Sequence, residues 1–270
     1  MKQPFNHQSD SKLSPIVAIH GSASNGAFWD GLTKHYASNR IVLTPDLEGY
    51  GKADHRTTNP NATLTARAEP ILRSIDTLGQ EIHLVAHSFG SAIALEIVKT
   101  IPEKIRSLTL YEPVLPALLR DSEQADDMEL LGDLLALSDI IRGTAPMVAM
   151  ETFINFWNEP TAWDRLPNTT RQKLAELAPI VYQDFIEAYF NVVPDTFNQI
   201  KFKRPVTMLL GACTNNHAKR MANILLQQFP HALTETFEAL GHMGPLTHPN
   251  IVHASITQHI ERAETHHASN

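Results

Sequence analysis

Short runs of Ile, Val and Leu recur along the chain at residues 16–20, 41–45, 82–86, 105–111 and 206–211, with little polar alternation inside them. A strand with one wetted face alternates apolar and polar residues, so these runs predict strands covered on both faces. Segments of helical period lie between them, at residues 64–78 and 91–101, and the second stops at Pro102 as a helix must. Strands alternating with helices predict a parallel sheet between two helical layers. The rhythm breaks at residues 116–200, where helical spacing dominates (Leu130, Leu131, Leu134, Leu135 and Leu137, then Leu174, Leu177, Ile180, Val181 and Phe185). The expected fold is therefore α/β: a mostly parallel central sheet with helices on both faces and an inserted helical cap. Residues 1–115 and 201–270 would form the core and residues 116–200 the cap. A strand-like run at residues 233–237 follows, and there is no internal repeat or low-complexity linker.

With 43% hydrophobic residues among 270, the chain can bury a substantial core. A net charge of −7 and 22 dispersed basic residues leave no electrostatic footprint for nucleic acid or an anionic membrane. Cys213 is the only cysteine, which excludes an internal disulfide and a zinc site of paired cysteines, and a thiol at least partly buried is expected there. The first 15 residues are polar, with no apolar stretch suited to a signal peptide or anchor, so a cytoplasmic location is expected.

Chemistry concentrates in three places. In residues 82–95 an apolar strand runs to Ala86, a helix begins near Ser91, and Ser88 lies between them with small residues two positions away on each side, Ala86 and Gly90. Such a tight strand-to-helix turn strains its central residue and lifts its hydroxyl above the sheet, at a helix N-terminus. The usual spacing is G-x-S-x-G, and Ala86 stands in place of the first glycine. Near the N-terminus, His20-Gly21 ends the first strand and opens a loop of small residues. Such a loop suits an oxyanion hole, with amides from Ser22 and from Phe89, the residue after the serine. Near the C-terminus, His242 follows Gly241 on a loop at a strand end, where an imidazole can reach a nucleophile on another strand. His248, next to Pro249, reads as structural, and most other histidines are expected at the surface.

With these motifs and the turn from Asp46 to Gly51, the sequence resembles the α/β-hydrolase family from Ile16 to about Ile260. The resemblance implies a Ser-His-acid triad with Ser88 as nucleophile, His242 as base and no metal or organic cofactor. Most members place the acid just past the strand that is here residues 206–210, but residues 211–216 contain no carboxylate. One subgroup of haloalkane dehalogenases, whose nucleophile is an aspartate, carries it one strand earlier, where this chain has Glu112. A charge ending an apolar strand is costly without a partner, so Glu112 is the expected acid and Asn215 the alternative at the later position. The resemblance further implies attack on a small apolar ester, lactone or thioester beneath an aromatic-rich cap. Carbon–carbon bond hydrolysis, acyl transfer and non-catalytic ligand binding stand as alternatives. Family members commonly begin with a two-strand hairpin that this chain leaves little room for, so a sheet shortened on that edge is expected.

Overall fold

A computed structural model describes residues 13–53 and 58–268, the side chains of 266–268 excepted. The polar segment read at residues 1–15 therefore lies outside the described residues as far as residue 12.

In chain order the first elements are β1 (Ile16–Ile19), α1 (Asp30–Tyr36), β2 (Val42–Leu43), α2 (Leu64–Leu78), β3 (Ile82–His87), α3 (Gly90–Thr100) and β4 (Ile105–Tyr111). Five helices follow: α4 (Pro116–Asp121), α5 (Ala125–Gly143), α6 (Pro146–Trp157), α7 (Asn168–Ala175) and α8 (Ala178–Phe185). The chain then returns to the sheet with β5 (Val206–Gly211), α9 (Asn216–Leu226), β6 (Leu233–Phe237), α10 (Gly244–Thr247) and α11 (Pro249–Ala268). The strands form one sheet in the order β2-β1-β3-β4-β5-β6, and every neighbouring pair is parallel. Among the described residues no strand precedes β1, and β2 forms that edge with only two residues, fewer than the run at 41–45 suggested.

Local chemistry marks several boundaries. The Thr63 hydroxyl accepts from the Ala66 amide at 3.2 Å to start α2, and Gly79 ends that helix at φ +64°, a backbone region that costs glycine little. Successive side chains of a strand point to opposite faces, and both faces of β1, β3, β4 and β5 are covered. Val17, Ile19, Leu84, Leu108 and Met208 pack on one side against α2, α3 and α9. Ile16, Ala18, Val85 and Leu209 pack on the other against Leu32 and Tyr36 of α1 and Val252, Ile256 and Ile260 of α11. At roughly 1.5–3 kcal/mol for each large side chain removed from water, these two layers supply most of the drive to fold. The first layer continues without a break into Leu131, Leu134, Met150 and Phe153, so α5 and α6 share the core of the sheet.

The layer beneath α11 also buries polar groups. His259 Nδ1 lies 2.7 Å from the Thr207 hydroxyl, and His83 Nδ1 lies 2.7 Å from that of Ser107. Glu264 accepts from His83, Arg40 and the Ser14 amide, each at 3.1 Å, and also from Arg106, tying the end of α11 to the N-terminal edge of the sheet. Burial alone would raise the Glu264 carboxyl, but its partners, led by His83, hold it at about 2. Most of the remaining histidines were expected at the surface, yet His20, His83, His87, His253 and His259 are buried. The neutral imidazole is accommodated in this core even where one ring nitrogen has no hydrogen-bond partner, as at His87 Nδ1, His253 Nε2 and His259 Nε2, a choice that composition does not reveal.

Burial holds His20, His253 and His259 at about 4, well below the ordinary histidine value of 6.5. Below pH 6.5 the unfolded chain takes up protons that these folded histidines refuse, so stability falls as pH drops from 6.5 toward 4. Glu187, pushed up to about 7 by burial, binds its proton in the folded state and acts in the opposite sense between pH 7 and 4.5. Three histidines outweigh one carboxyl, and the unfolding free energy is expected to drop by about 2 kcal/mol from pH 7.5 to 5.5. Urea titrations at the two pH values measure this; a stability that is flat or rises toward acid would contradict it.

Candidate active site

Ser88 sits between the last residue of β3 and the first of α3 at φ +53°, in the left-handed region that non-glycine residues avoid. Hydrogen bonds on both sides hold it there: its amide donates to Tyr111 O at 3.1 Å, and its carbonyl accepts from the amides of Ser91 at 2.9 Å and Val114 at 3.2 Å. The small neighbours are a matter of contact. A Cβ on Gly90 would stand 2.3 Å from His20 O, and one on Gly21 would stand 2.8 Å from the Ser88 Cβ. Ala86 is fully buried, so a methyl is accommodated where the usual motif has hydrogen.

Strand register explains what faces Ser88. His87 pairs with Tyr111 and Tyr111 with Leu209, so Ser88 and Glu112 each lie one residue past the last paired position of adjacent strands, at their carboxyl ends. Parallel sheets present their sites at that edge. Glu112 also adopts a positive φ, +45°, and is completely buried. Its Oε1 accepts from the Gly211 amide at 2.8 Å, and its Oε2 accepts from the Thr214 hydroxyl at 2.6 Å and from His242 Nδ1 at 2.8 Å. Three donors compensate a desolvated carboxylate. The opposite nitrogen, His242 Nε2, lies 3.0 Å from the Ser88 hydroxyl oxygen. A carboxylate that only accepts fixes the proton on Nδ1 and leaves Nε2 free to accept from serine.

The loop carrying His242 is held from both sides. Tyr111 donates its hydroxyl to Gly241 O at 2.9 Å, and His87 Nε2 donates to His242 O at 2.8 Å. Burial, with the neighbouring His242, keeps His87 far below the usual histidine range and therefore neutral. The ring of His242 is covered by Trp157 of α6, stacked with centroids 5.0 Å apart and planes 28° apart. Asn215 has other work: its side chain caps α9 by accepting from the Ala218 amide at 3.0 Å and donates to Phe156 O at 3.0 Å.

His20 organises the loop after β1. Its Nδ1 donates to Gly21 O at 2.7 Å and its Nε2 accepts from the Leu47 amide at 3.0 Å, a pattern only the neutral ring satisfies. Asp46 braces the same region, accepting from the amides of Gly26 at 2.6 Å and Lys52 at 2.7 Å. The cavity above the serine is lined by Ser22, Ser88 and Phe89 from the sheet side and by Phe153, Trp157 and Asp184 from the helices between β4 and β5. Its volume is about 20 Å³, space for one water. Among the described residues, no three His, Cys, Asp or Glu side chains converge as metal ligands, and no helix is long and apolar enough to cross a membrane.

Ser88, His242 and Glu112 are thus neighbours, and Ser22 and Phe89 share one cavity with the serine, while Asn215 makes its side-chain hydrogen bonds to Ala218 and Phe156. His248 is exposed between α10 and α11. Cys213, expected to be at least partly buried, is exposed, because the turn after β5 directs Thr214 inward to Glu112 and leaves its neighbour outside. Sequence reasoning missed Thr214, Tyr111 and His87, whose contacts arise between strands far apart in the chain. His87 carried a faint signal, a polar residue closing an otherwise apolar strand.

The sequence matches the Alpha/beta hydrolase family over residues 16–254, and the chain belongs to that family. A probable lysophospholipase of Arabidopsis thaliana, BODYGUARD 1, is 35% identical over 123 residues, 42% of this chain and 25% of that protein. The putative carbamate hydrolase RutD of Azorhizobium caulinodans is 28% identical over 116 residues, 40% of this chain and 43% of that one. The matches thus span less than half the length of these curated relatives. Among solved structures, Est816, described as an N-acyl homoserine lactone degrading enzyme, superposes with a TM-score of 0.70 at 16% identity, covering 91% of this chain and 92% of its own. At that identity the likeness is one of fold.

The contact at Gly90 carries a prediction. Gly90→Ala drives a methyl into a backbone carbonyl and is expected to cost at least 2 kcal/mol, roughly the scale of overpacking a core. Gly132→Ala, in α5 with open space around it, is expected to raise stability by about 0.5–1 kcal/mol through helix propensity. Thermal melts of the two variants check this, and similar shifts in both would refute the steric reading.

Proposed function

We propose that the protein is a serine hydrolase that cleaves a small ester, lactone or thioester through an acyl-enzyme. The observation that carries this reading is the continuous chain from Ser88 Oγ to His242 Nε2, 3.0 Å, and from His242 Nδ1 to Glu112 Oε2, 2.8 Å. In this reading His242 removes the Ser88 proton as the hydroxyl oxygen attacks the acyl carbonyl. Glu112 keeps the imidazole in the right tautomer and stabilises the imidazolium. The amides of Ser22 and Phe89 take the oxyanion, aided by the N-terminus of α3. His242 then hands its proton to the leaving group, and water, activated by the same histidine, releases the acid. None of these steps calls on a metal or organic cofactor.

Residues 116–200 serve in this proposal as the cap over an apolar pocket, and Phe153, Trp157 and Phe185 support that role by facing Ser88. With so little free volume, these side chains must shift to admit an ester. The relatives' names, a lysophospholipase, a carbamate hydrolase and a lactone degrading enzyme, share cleavage of an acyl–heteroatom bond. The enzyme is further proposed to work in the cytoplasm on a soluble small molecule.

Ser88→Ala is expected to abolish hydrolysis of a short activated ester and labelling by a fluorophosphonate probe while the melting temperature stays near that of the parent. Retention of a tenth of the activity would remove Ser88 from the role of nucleophile. Glu112→Gln is expected to lower turnover by about 10³–10⁴, whereas Asn215→Ala costs far less. Because Glu112 and His242 act as a unit here, removing both should be little worse than removing His242 alone. A nearly active Glu112→Gln beside a dead Asn215→Ala would move the acid's role to the later strand.

A further inference from the structure

A second polar cluster, as deeply buried as the first, lies on the other side of Ser88. Arg67 of α2 donates to Asp184 of α8 at 2.8 Å and to Glu187 at 2.9 Å, and all three side chains are almost fully enclosed. Tyr50 donates its hydroxyl to the other oxygen of Asp184 at 2.6 Å. The Arg67 guanidinium also lies over the rings of Phe89, 5.6 Å away, and Tyr50, 5.9 Å away. Asp184 and Glu187 flank the point where α8 passes into a π-helical turn at Ile186–Phe190, a distortion often found at functional sites. A buried ion cluster is weak as a source of stability, since desolvation consumes most of the attraction. Its position is more informative than its energy.

The cluster touches the loop after β1 at two consecutive residues. The Ser22 hydroxyl faces the Asp184 carboxylate, and the Ala23 amide faces the Tyr50 hydroxyl. Ala23 is held at φ +54°, a strained conformation for a residue with a side chain. Such a turn relaxes unless its surroundings over-determine it, and its relaxation would rotate the Ser22–Ala23 peptide and pull on Ser22, whose own amide lies on the peptide before. His20 holds the Gly21 carbonyl, on the peptide that carries the Ser22 amide; Tyr50 and Asp184 meet the next amide and the Ser22 side chain, and Asp46 holds the Gly26 amide further on.

Resting on the hydrolase reading above, we infer that Tyr50 and Asp184 are positioning residues, which hold the strained Ser22–Ala23 turn so that the Ser22 amide points at the oxyanion formed on Ser88. Arg67 orients Asp184 through one terminal nitrogen, and Glu187 accepts from the other terminal nitrogen of Arg67. Asp184 belongs to the helices between β4 and β5, so the oxyanion hole is complete only when α8 is seated on the sheet. Seating of α8 on the sheet and readiness for chemistry then become one event.

The test compares three near-isosteric variants, Tyr50→Phe, Asp184→Asn and Glu187→Gln, each of which removes or weakens a buried polar contact in the same cluster. Melting temperature, kcat and KM for p-nitrophenyl butyrate, and affinity for a trifluoromethyl ketone that forms a hemiketal with serine are measured for each. Tyr50→Phe and Asp184→Asn are expected to lower kcat about 10- to 100-fold with KM changed less than about threefold, and to weaken the ketone in proportion. Glu187→Gln is expected to shift the melting temperature comparably while keeping kcat within about threefold. A purely structural role for the cluster predicts equal kinetic effects from all three, and that result overturns the inference. If Asp184→Asn fails to fold, Ser22→Ala removes the hydroxyl facing Asp184 without opening the cluster, and an unchanged kcat there overturns the role of Asp184. Fluorophosphonate labelling of the parent protein separates the two levels. An unlabelled parent overturns the hydrolase reading together with this one, whereas a labelled parent with unaffected variants overturns this one alone.

Discussion

A carboxylate removed from water demands donors, and the demand made by Glu112 shapes the carboxyl edge of the sheet. Its two oxygens recruit the amide that ends β5, the hydroxyl of Thr214 in the turn after it, and the imidazole on the loop after β6. Three segments separated by about a hundred residues or more from Glu112 are thereby held around one charge. The left-handed backbone at Glu112 aims the side chain across β5, where an extended residue would follow the alternation of the strand. Leaving such a charge without partners would cost several kcal/mol, a large share of the stability of an ordinary domain. Position and stability are thus set by the same contacts.

The serine is held on different terms. Its strain is local, imposed by the β3-to-α3 turn and kept by ladder hydrogen bonds that continue past the last paired residues. Glycines at 21 and 90 let the backbone after β1 approach within a distance that a methyl would not permit. Rigid strand ends and close-packed backbone place the hydroxyl; the histidine arrives on a loop that has to be tied down by Tyr111, His87 and the stacked Trp157. A site built on one rigid and one tethered element keeps its geometry through the contacts made on each.

The helices between β4 and β5 also meet the cavity at Ser88. α6 supplies Trp157 over His242, and α8 supplies Asp184 beside Ser22, so the helices inserted between β4 and β5 contact both flanks of Ser88. Their apolar faces are continuous with the sheet layer, which argues for small adjustments of side chains and helix seating instead of a hinged lid. Substrate selection in the proposed reaction would then depend on how readily Phe153, Trp157 and Phe185 rearrange.

Much of this was legible in the chain itself, because it depends on short-range pattern. Unalternating apolar runs marked four strands covered on both faces and a fifth that is a short, half-buried edge, helical spacing marked the inserted helices, and small residues at 86 and 90 marked the strained turn at Ser88. Glu112 could be singled out because a charge at the end of an apolar strand needs a reason. The partners of that charge could not be found the same way: Thr214 and Gly211 become its donors through strand register, and register depends on how the whole sheet assembles. The buried histidines, the exposed Cys213 and the Arg67–Asp184–Tyr50 cluster were decided by tertiary structure for the same reason. Each is a contact between residues distant in the chain, where neither period nor composition distinguishes a side chain that turns inward to a partner from one that turns outward to water.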